Sequence, residues 1–386
     1  IETPQPLDLE STLLSGQAFR WQRSDGWYHG VVFGNVVKLR KRGDGLEILS
    51  TPDDEQSIEP IIRDYFGFKT DLQEIYNSFS CDTRIQGAIT RYRGMRILQQ
   101  DPWECLVSFI CSSNSNIGRI TRNIHDICVT FGRPISSGAD TIHAFPTPRD
   151  LADAGEDLMG RLRLGYRTRH ISDTARVIAD GRLDLISLRE ESYTDALEAL
   201  IGLPGVGDKV ANCVLLFSLN KPEAFPVDVW IHRALREWYL SDEEKNLSRP
   251  KIRLWAQKRF GRFAGYANQY LFHDRAQGEA MLTGGLDLKN PEALKEFYIG
   301  NSRRLSMAGK ILFPVPNRRL SKRLYRLTAP TLLVWGKSDT LIPLVYAEQF
   351  KQQIVSAEIV EIEQAGHMIP YEQPEEFVRS VTAFLN

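Results

Sequence analysis

The stretch from Gly202 to Asp228 limits what this chain can be more than any other part of it. Before it, the run YTDALEALI (193–201) carries apolar residues at helical spacing, and Gly202 is placed to end that helix as a C′ glycine. Leu203-Pro-Gly-Val-Gly207 then reads as a tight turn, with Pro204 fixing φ and Gly205 and Gly207 free to take angles that other residues avoid. Asp208 is positioned to cap the next helix, KVANCVLLFSL (209–219). Phe225-Pro-Val-Asp228 follows, and a further helical run covers 229–239. The pattern is helix, hairpin, helix. A glycine-rich turn at a helix N-terminus points unpaired backbone N–H groups outward, so Gly205 and Gly207 are candidate phosphate contacts.

Two residues in this stretch can carry chemistry. Lys209, in the first turn of a helix, sits at the positive end of the helix dipole, a setting that favours a nucleophilic amine. Such an amine can attack a sugar carbon and form a Schiff base. Asp228 follows a Pro-Val pair and opens a helix, so its carboxylate is fixed where it can stabilise positive charge or relay a proton. The residues alone leave another reading open, in which Lys209 is a solvated surface lysine and Asp228 a plain N-cap.

Taken together, LPGVGDKVANCVLLFSLNKPEAFPVDV resembles the helix-hairpin-helix plus Gly-Pro-Asp signature of DNA glycosylases, and in particular the 8-oxoguanine DNA glycosylase family. The match includes Lys209, Cys213 and Asp228. Members without a lysine at that position only release the base, and members with it also nick the strand. The resemblance therefore implies a bifunctional glycosylase and lyase acting on double-stranded DNA that contains oxidised guanine.

Composition fits such an enzyme without pointing to it. Of 386 residues, 42% are hydrophobic and 25% charged, as in a soluble protein of two or three domains. No apolar run approaches a membrane span, so no membrane partner is expected. The sequence begins at Ile1 rather than methionine, and its natural start is expected upstream. Cysteines at 81, 105, 111, 128 and 213 form no CxxC pair, which suits a reducing cytoplasm. Their spacing also excludes the four-cysteine iron–sulfur cluster of neighbouring glycosylase branches. His125, His143, His170, His232 and His273 show no ligand spacing, and no metal or cofactor is expected. The chain is expected to act as a monomer in the cytoplasm, on the nucleoid DNA of a prokaryote. Net charge is −1, so any DNA footprint must be local, and Arg161, Arg163, Arg167 and Arg169 form the densest candidate.

Residues 1–80 read as an antiparallel β domain. WYHGVVF (27–33), a turn at Gly34-Asn35 and VVKLR (36–40) make a hairpin, and a third strand covers 46–49. Ser15-Gly-Gln-Ala-Phe-Arg-Trp21 resembles the family's SGQ-x-FRW loop. There the glycine carbonyl accepts a hydrogen bond from N7–H of the oxidised base, a role that falls to Gly16. Normal guanine presents an acceptor at N7 instead, and an unpaired buried acceptor costs about 1–3 kcal/mol. A plain turn glycine is the alternative.

Residues 81–278 form the expected all-helical glycosylase core, helical from Pro102 onward. Ser113-Asn-Ser-Asn-Ile-Gly-Arg119 resembles the family's SSNNNIARI element, departing from it at Ser115 and Gly118. By that resemblance Asn114 fills the gap left by a flipped base, Arg119 and Arg167 grip the widowed cytosine, and Tyr166 wedges into the stack. Extruding a nucleotide costs a few kcal/mol, which such groups offset. Asn114 as an ordinary helix cap is the competing reading. Gly265-Tyr-Ala-Asn-Gln-Tyr-Leu-Phe272 resembles the last pocket helix. Phe272 matches the aromatic that stacks on the flipped base, opposite Cys213. Asn268 stands where the family has a glutamine reading the Watson–Crick edge, which leaves another damaged purine open as substrate. Trp230 stands where animal members have histidine.

The rest of the chain belongs to a different pattern. Residues 279–328, with basic Arg318, Arg319, Lys322 and Arg323, read as a lid or linker. Residues 329–386 resemble the C-terminal part of an α/β-hydrolase: a strand at 330–335, a helix at 344–354, a strand at 358–362 and a helix at 374–385. Asp339 and His367 fall at the acid and histidine positions of a catalytic triad. Nucleophile-elbow chemistry needs G-x-S-x-G, which the chain lacks, so the pair is expected to be vestigial and esterase activity absent. The fold class expected overall is α+β.

Overall fold

Alternating apolar residues build the first layer of the protein. Strands β1 (Gln22–Ser24), β2 (Trp27–Val32), β3 (Asn35–Arg42) and β4 (Gly45–Thr51) form an antiparallel sheet in sequence order. Val32 pairs with Asn35, so the β2–β3 turn is Phe33-Gly34 rather than Gly34-Asn35. Both turn residues have positive φ, +46° and +80°, as a type I′ turn requires. Asn35 serves the sheet instead: its Nδ2 donates to Asp53 Oδ2 at 2.9 Å and its Oδ1 accepts from the Asp53 N–H at 3.0 Å.

The first eighty residues are not purely β. Helices α1 (Leu9–Leu13), α2 (Glu55–Tyr65) and α3 (Leu72–Ser78) lie among them. In α2, Ile58, Ile62 and Tyr65 recur at helical spacing and are buried, and they pack with Trp21, Val37 and Leu39 of the sheet. A short-range periodicity of mixed polar and apolar residues competes here with strand alternation, and tertiary packing decides it.

The helical core follows: α4 (Thr83–Arg91), α5 (Pro102–Cys111), α6 (Ile117–Phe131), α7 (Pro148–Gly160), α8 (Arg167–Ala179), α9 (Tyr193–Ile201), α10 (Asp208–Ser218), α11 (Val229–Trp238), α12 (Arg249–Phe260) and α13 (Ala264–Leu282). One hairpin interrupts it, contrary to the all-helical expectation. Strands β5 (Pro134–Ser137) and β6 (Asp140–His143) pair antiparallel, and Ile135 and Ala144 bury against Val31 and Val36 of the sheet. The central helices α5 and α10 are apolar on nearly every face, as elements inside a helical layer must be. Close approach is built in at Gly265, where a Cβ would lie 2.1 Å from Leu216 Cδ1.

The computed structural model describes residues 1–3, 5–137, 140–282, 324, 327–339, 342–367 and 369–385. The expected lid falls almost wholly outside these residues, and Arg318, Arg319, Lys322 and Arg323 lie outside them too. The chain divides into two compact units, Ile1–Gly278 and Glu279–Asn386. In the second unit β7 (Thr331–Gly336) and β8 (Ala357–Ile362) pair in parallel, with helices Val345–Lys351, Ile369–Glu372 and Pro374–Leu385 beside them in sequence. Among the described residues no helix is long and apolar enough to cross a membrane.

Candidate active site

The hairpin between α9 and α10 is shaped by its glycines, though not as the sequence suggests at every position. Gly202 closes α9 with a right-handed φ of −64°, so it is a C-cap and not a left-handed C′ residue. The left-handed position is Gly205, at φ +76°, where a Cβ would lie 2.5 Å from the His170 side chain. Gly207 is the N-cap of α10. Asp208 is therefore the first residue of the helix rather than its cap, and its carboxylate accepts from Arg253 Nε at 2.9 Å. Arg253 Nη1 also donates to Tyr193 Oη at 3.1 Å, and that hydroxyl donates to Asn212 Oδ1 at 2.7 Å. The same Asn212 oxygen accepts the Phe225 N–H at 3.2 Å. This chain of bonds ties the hairpin to the loop that ends at Asp228.

Lys209 occupies the first turn of α10 and points at the end of α5. Its Nζ donates to Ser112 Oγ at 2.7 Å and lies 5.0 Å from the centre of the Phe109 ring. One turn on, Cys213 is 2% exposed, and burial pushes its thiol up to about 11 against the pull of the Lys209 ammonium. Asp228 is the N-cap of α11, accepting the Ile231 N–H at 2.7 Å. Burial raises its carboxyl above the ordinary aspartate range, while the Ile231 N–H and then the Lys209 charge oppose the rise. Amine, thiol and carboxylate thus share one electrostatic neighbourhood. Ser112 was not foreseen: a serine closing an apolar helix is too common to signal a partner 97 positions away.

A second group gathers around Gly16. Its φ is +84°, and a Cβ there would sit 3.6 Å from Phe272 Cε1 and 3.9 Å from Ile117 Cδ1, so the glycine lies against the Phe272 ring. The loop is pinned from beneath by Gln17, which is fully buried. Its Nε2 donates to Arg96 O at 2.9 Å and Thr12 O at 3.1 Å, and its Oε1 accepts from the Leu98 N–H at 3.0 Å. Gln269 Nε2 adds a bond to Ser15 Oγ at 2.9 Å. Asn268 is equally committed: its Nδ2 donates to Pro226 O at 2.8 Å, in the loop that carries Asp228. One of its amide donors is thus taken up by a backbone carbonyl within reach of the shorter side chain.

The third group joins the end of α5 to the start of α8. Asn114 has φ +50° and caps nothing, since the N-cap of α6 is Asn116. Its Nδ2 donates to Tyr166 Oη at 3.4 Å, and that hydroxyl donates to Ser113 O at 3.1 Å. Tyr166 is half exposed. Arg119 is exposed, whereas Arg167 is 3% exposed with its guanidinium on carbonyls of Leu164, Ser113 and Asn114. Trp230 is also exposed, with the Arg233 guanidinium 5.8 Å from its ring.

In the second unit, His367 Nδ1 and Asp339 Oδ2 form a hydrogen-bonded pair at 2.9 Å, and Asp339 Oδ1 accepts the Ile342 N–H at 2.8 Å. Among the described residues no group of His, Cys, Asp and Glu has the arrangement of a metal site.

The chain matches two family models in succession. Residues 1–106 match the 8-oxoguanine DNA glycosylase N-terminal domain, and residues 107–257 match the HhH-GPD superfamily base excision DNA repair protein. It is 33% identical over 284 residues to the N-glycosylase/DNA lyase OGG1 of Arabidopsis thaliana, covering 70% of this chain and 78% of that protein. A solved structure of Clostridium acetobutylicum 8-oxoguanine glycosylase/lyase, in complex with double-stranded DNA containing cytosine opposite 8-oxoguanine, superposes with a TM-score of 0.67. It is 32% identical, and the match covers 71% of this chain and 93% of that one. A C-terminal stretch has weaker and partial likeness to hydrolases. The 2-hydroxy-6-oxo-6-phenylhexa-2,4-dienoate hydrolase of Comamonas testosteroni is 27% identical over 136 residues, with 44% of that protein covered.

Proposed function

The chain belongs to the family of 8-oxoguanine DNA N-glycosylase/lyases, and on that premise we propose that its first unit excises 8-oxoguanine opposite cytosine and then opens the strand through Lys209. The observation that carries this reading is the Lys209 amine, held by Ser112 at 2.7 Å in the electrostatic reach of Asp228. Once its ammonium has given up a proton to solvent, the Lys209 nitrogen bonds to C1′ of the sugar, and the bond to the base breaks with its electron pair leaving on the base, which takes up a proton. Asp228 stabilises the positive charge that grows on the sugar as that bond lengthens. The amine then loses its proton as the ring opens to a Schiff base, and removal of a C2′ proton expels the 3′ phosphate. Gly16 supplies the carbonyl that accepts N7–H, and Phe272 and Cys213 supply the walls of the base site. Gly205 and Gly207 present backbone N–H groups to a phosphate of the damaged strand.

Asn268 acts in this scheme through Asp228, not on the base. Asn268→Ala is expected to lower single-turnover excision at saturating DNA by about tenfold, the scale of one lost buried hydrogen bond, while lesion affinity changes less than about threefold. Asn268→Gln should restore little, because a longer side chain cannot keep the Pro226 bond in place. A loss confined to lesion affinity would make Asn268 a reader of the base edge.

The two arginines of the opposite-base group are given different work. Arg119, exposed and five residues on from Asn114, donates to the cytosine acceptors, whereas Arg167 holds Ser113 and Asn114 in place. Arg119→Ala should narrow the preference for cytosine over adenine by roughly tenfold, within the 1–3 kcal/mol of a good bidentate contact. Arg167→Ala should weaken both pairings alike. Comparing excision of the lesion opposite each base tests this, and the reverse pattern would exchange the roles.

The second unit takes no part in excision on this reading. Asp339 and His367 form a hydrogen-bonded acid–histidine pair, and the sequence holds no G-x-S-x-G to supply the nucleophile of a triad.

A further inference from the structure

A pocket of about 740 Å³ lies between the first half of α6 and the turn after α7, lined by Arg119, Arg122, Asn123, Asp126, Arg161 and Arg163. All four arginines are exposed. Among the described residues none of them makes an ion pair, although Arg169, a few residues on, pairs with Asp173 at 3.5 Å. Asp126 is the single carboxylate in the lining, so guanidinium charge prevails. The turn is built to hold its two arginines there: Arg163 takes a left-handed φ of +56° and Gly165 one of +63°, the former a conformation that a non-glycine residue avoids without cause. Asn123 supplies a second, independent sign of a missing partner. It is 5% exposed, and its buried Nδ2 has no hydrogen-bond partner.

We propose that this pocket binds consecutive phosphodiesters of the undamaged strand, beside the base that the flipped lesion leaves behind. Unpaired guanidinium forks match phosphate oxygens in geometry and charge, and the space exceeds what one phosphate needs. Continuity fixes which strand: α6 carries both Arg119 and Arg122, and the turn with Arg161 and Arg163 runs directly into Tyr166 and Arg167. The proposal rests on the assignment of Asn114, Arg119 and Tyr166 to the opposite base. It adds Arg122, Arg161 and Arg163 as the grip on that strand's backbone.

The test uses the full chain with Arg122 and Arg161 both changed to alanine, and both changed to lysine. Affinity for an undamaged duplex and for one with 8-oxoguanine opposite cytosine is measured from low to moderate salt. Each phosphate contact removed should reduce the slope of log K against log salt by about 0.9, so the alanine pair should lose roughly 1.8 and the lysine pair little. The cytosine-over-adenine ratio should stay within about twofold of the parent, because phosphate contacts carry no base information. Uncharged methylphosphonates placed beside the cytosine should weaken the parent protein more than the alanine pair, which keeps Arg163 alone of the three added contacts. An unchanged salt slope would overturn the proposal. So would an equal methylphosphonate penalty in both proteins, or a penalty only from the damaged strand. Binding to undamaged duplex is read without excision, so a parent protein that failed to release 8-oxoguanine would count against the lesion assignment alone.

Discussion

Lys209→Gln is expected to lower single-turnover release of 8-oxoguanine by about a thousandfold or more and to remove strand scission altogether. Loss of a covalent nucleophile is among the largest single effects an enzyme can suffer, because no neighbouring group replaces the bond it forms. Here the amine is placed by Ser112 Oγ at 2.7 Å and by the Phe109 ring, and glutamine keeps a polar head of similar reach at that spot. The fold and the affinity for lesion duplex should therefore survive. Ser112→Ala should give a smaller loss, since it misplaces the amine without removing it. Retained scission in the glutamine variant, measured on an abasic duplex, would move the chemistry to another amine.

Asp228→Asn is the second large effect, expected to cost about 10²–10³-fold in excision, the range for removing one preorganised charge-stabilising group. The pH dependence carries the sharper prediction. Burial raises the Asp228 carboxyl above the ordinary aspartate range, so activity should fall as pH drops through that raised value, earlier than for an exposed carboxylate. In the asparagine variant this acid limb should flatten. Stability runs the other way. A carboxyl whose folded-state pKa is raised contributes stability at low pH, and that contribution is lost as pH rises through the raised value. At neutral pH the charge is thus a cost to folding, and asparagine, which caps α11 equally well, should hold or raise Tm. An acid limb that persists in Asp228→Asn would assign the titration to another group.

Much of this site is legible in the sequence because it is local. The α9 boundaries, the turn at 203–207 and the Asp228 cap depend on residues within a few positions of one another, and apolar spacing with glycine and proline punctuation reports them. The sheet is legible for the same reason, although the β2–β3 turn shifts by one residue because Asn35 is drawn to Asp53. What escapes is the support at long separation. Gln17 holds the Gly16 loop through Arg96 and Leu98, and Gln269 reaches Ser15 from 254 positions away. A buried amide has the same letter whatever it bonds to, which is why the Asn268 bond to Pro226 is not legible in the sequence. The β5–β6 hairpin escapes because its short strands are stabilised by Val31 and Val36, not by their own pattern. Asp208 is misread as a cap because its real partner, Arg253, lies two helices further on.

The central claim, that Lys209 forms the covalent link to the damaged nucleotide's sugar, is tested most directly by borohydride trapping. The full chain is mixed with duplex carrying 8-oxoguanine opposite cytosine, reduced, digested with protease, and the nucleotide-bearing peptide is identified by mass spectrometry. The account predicts one adduct, on the peptide containing Lys209, and none with undamaged duplex. An adduct on a different amine, or efficient lesion release with no adduct at all, would contradict it.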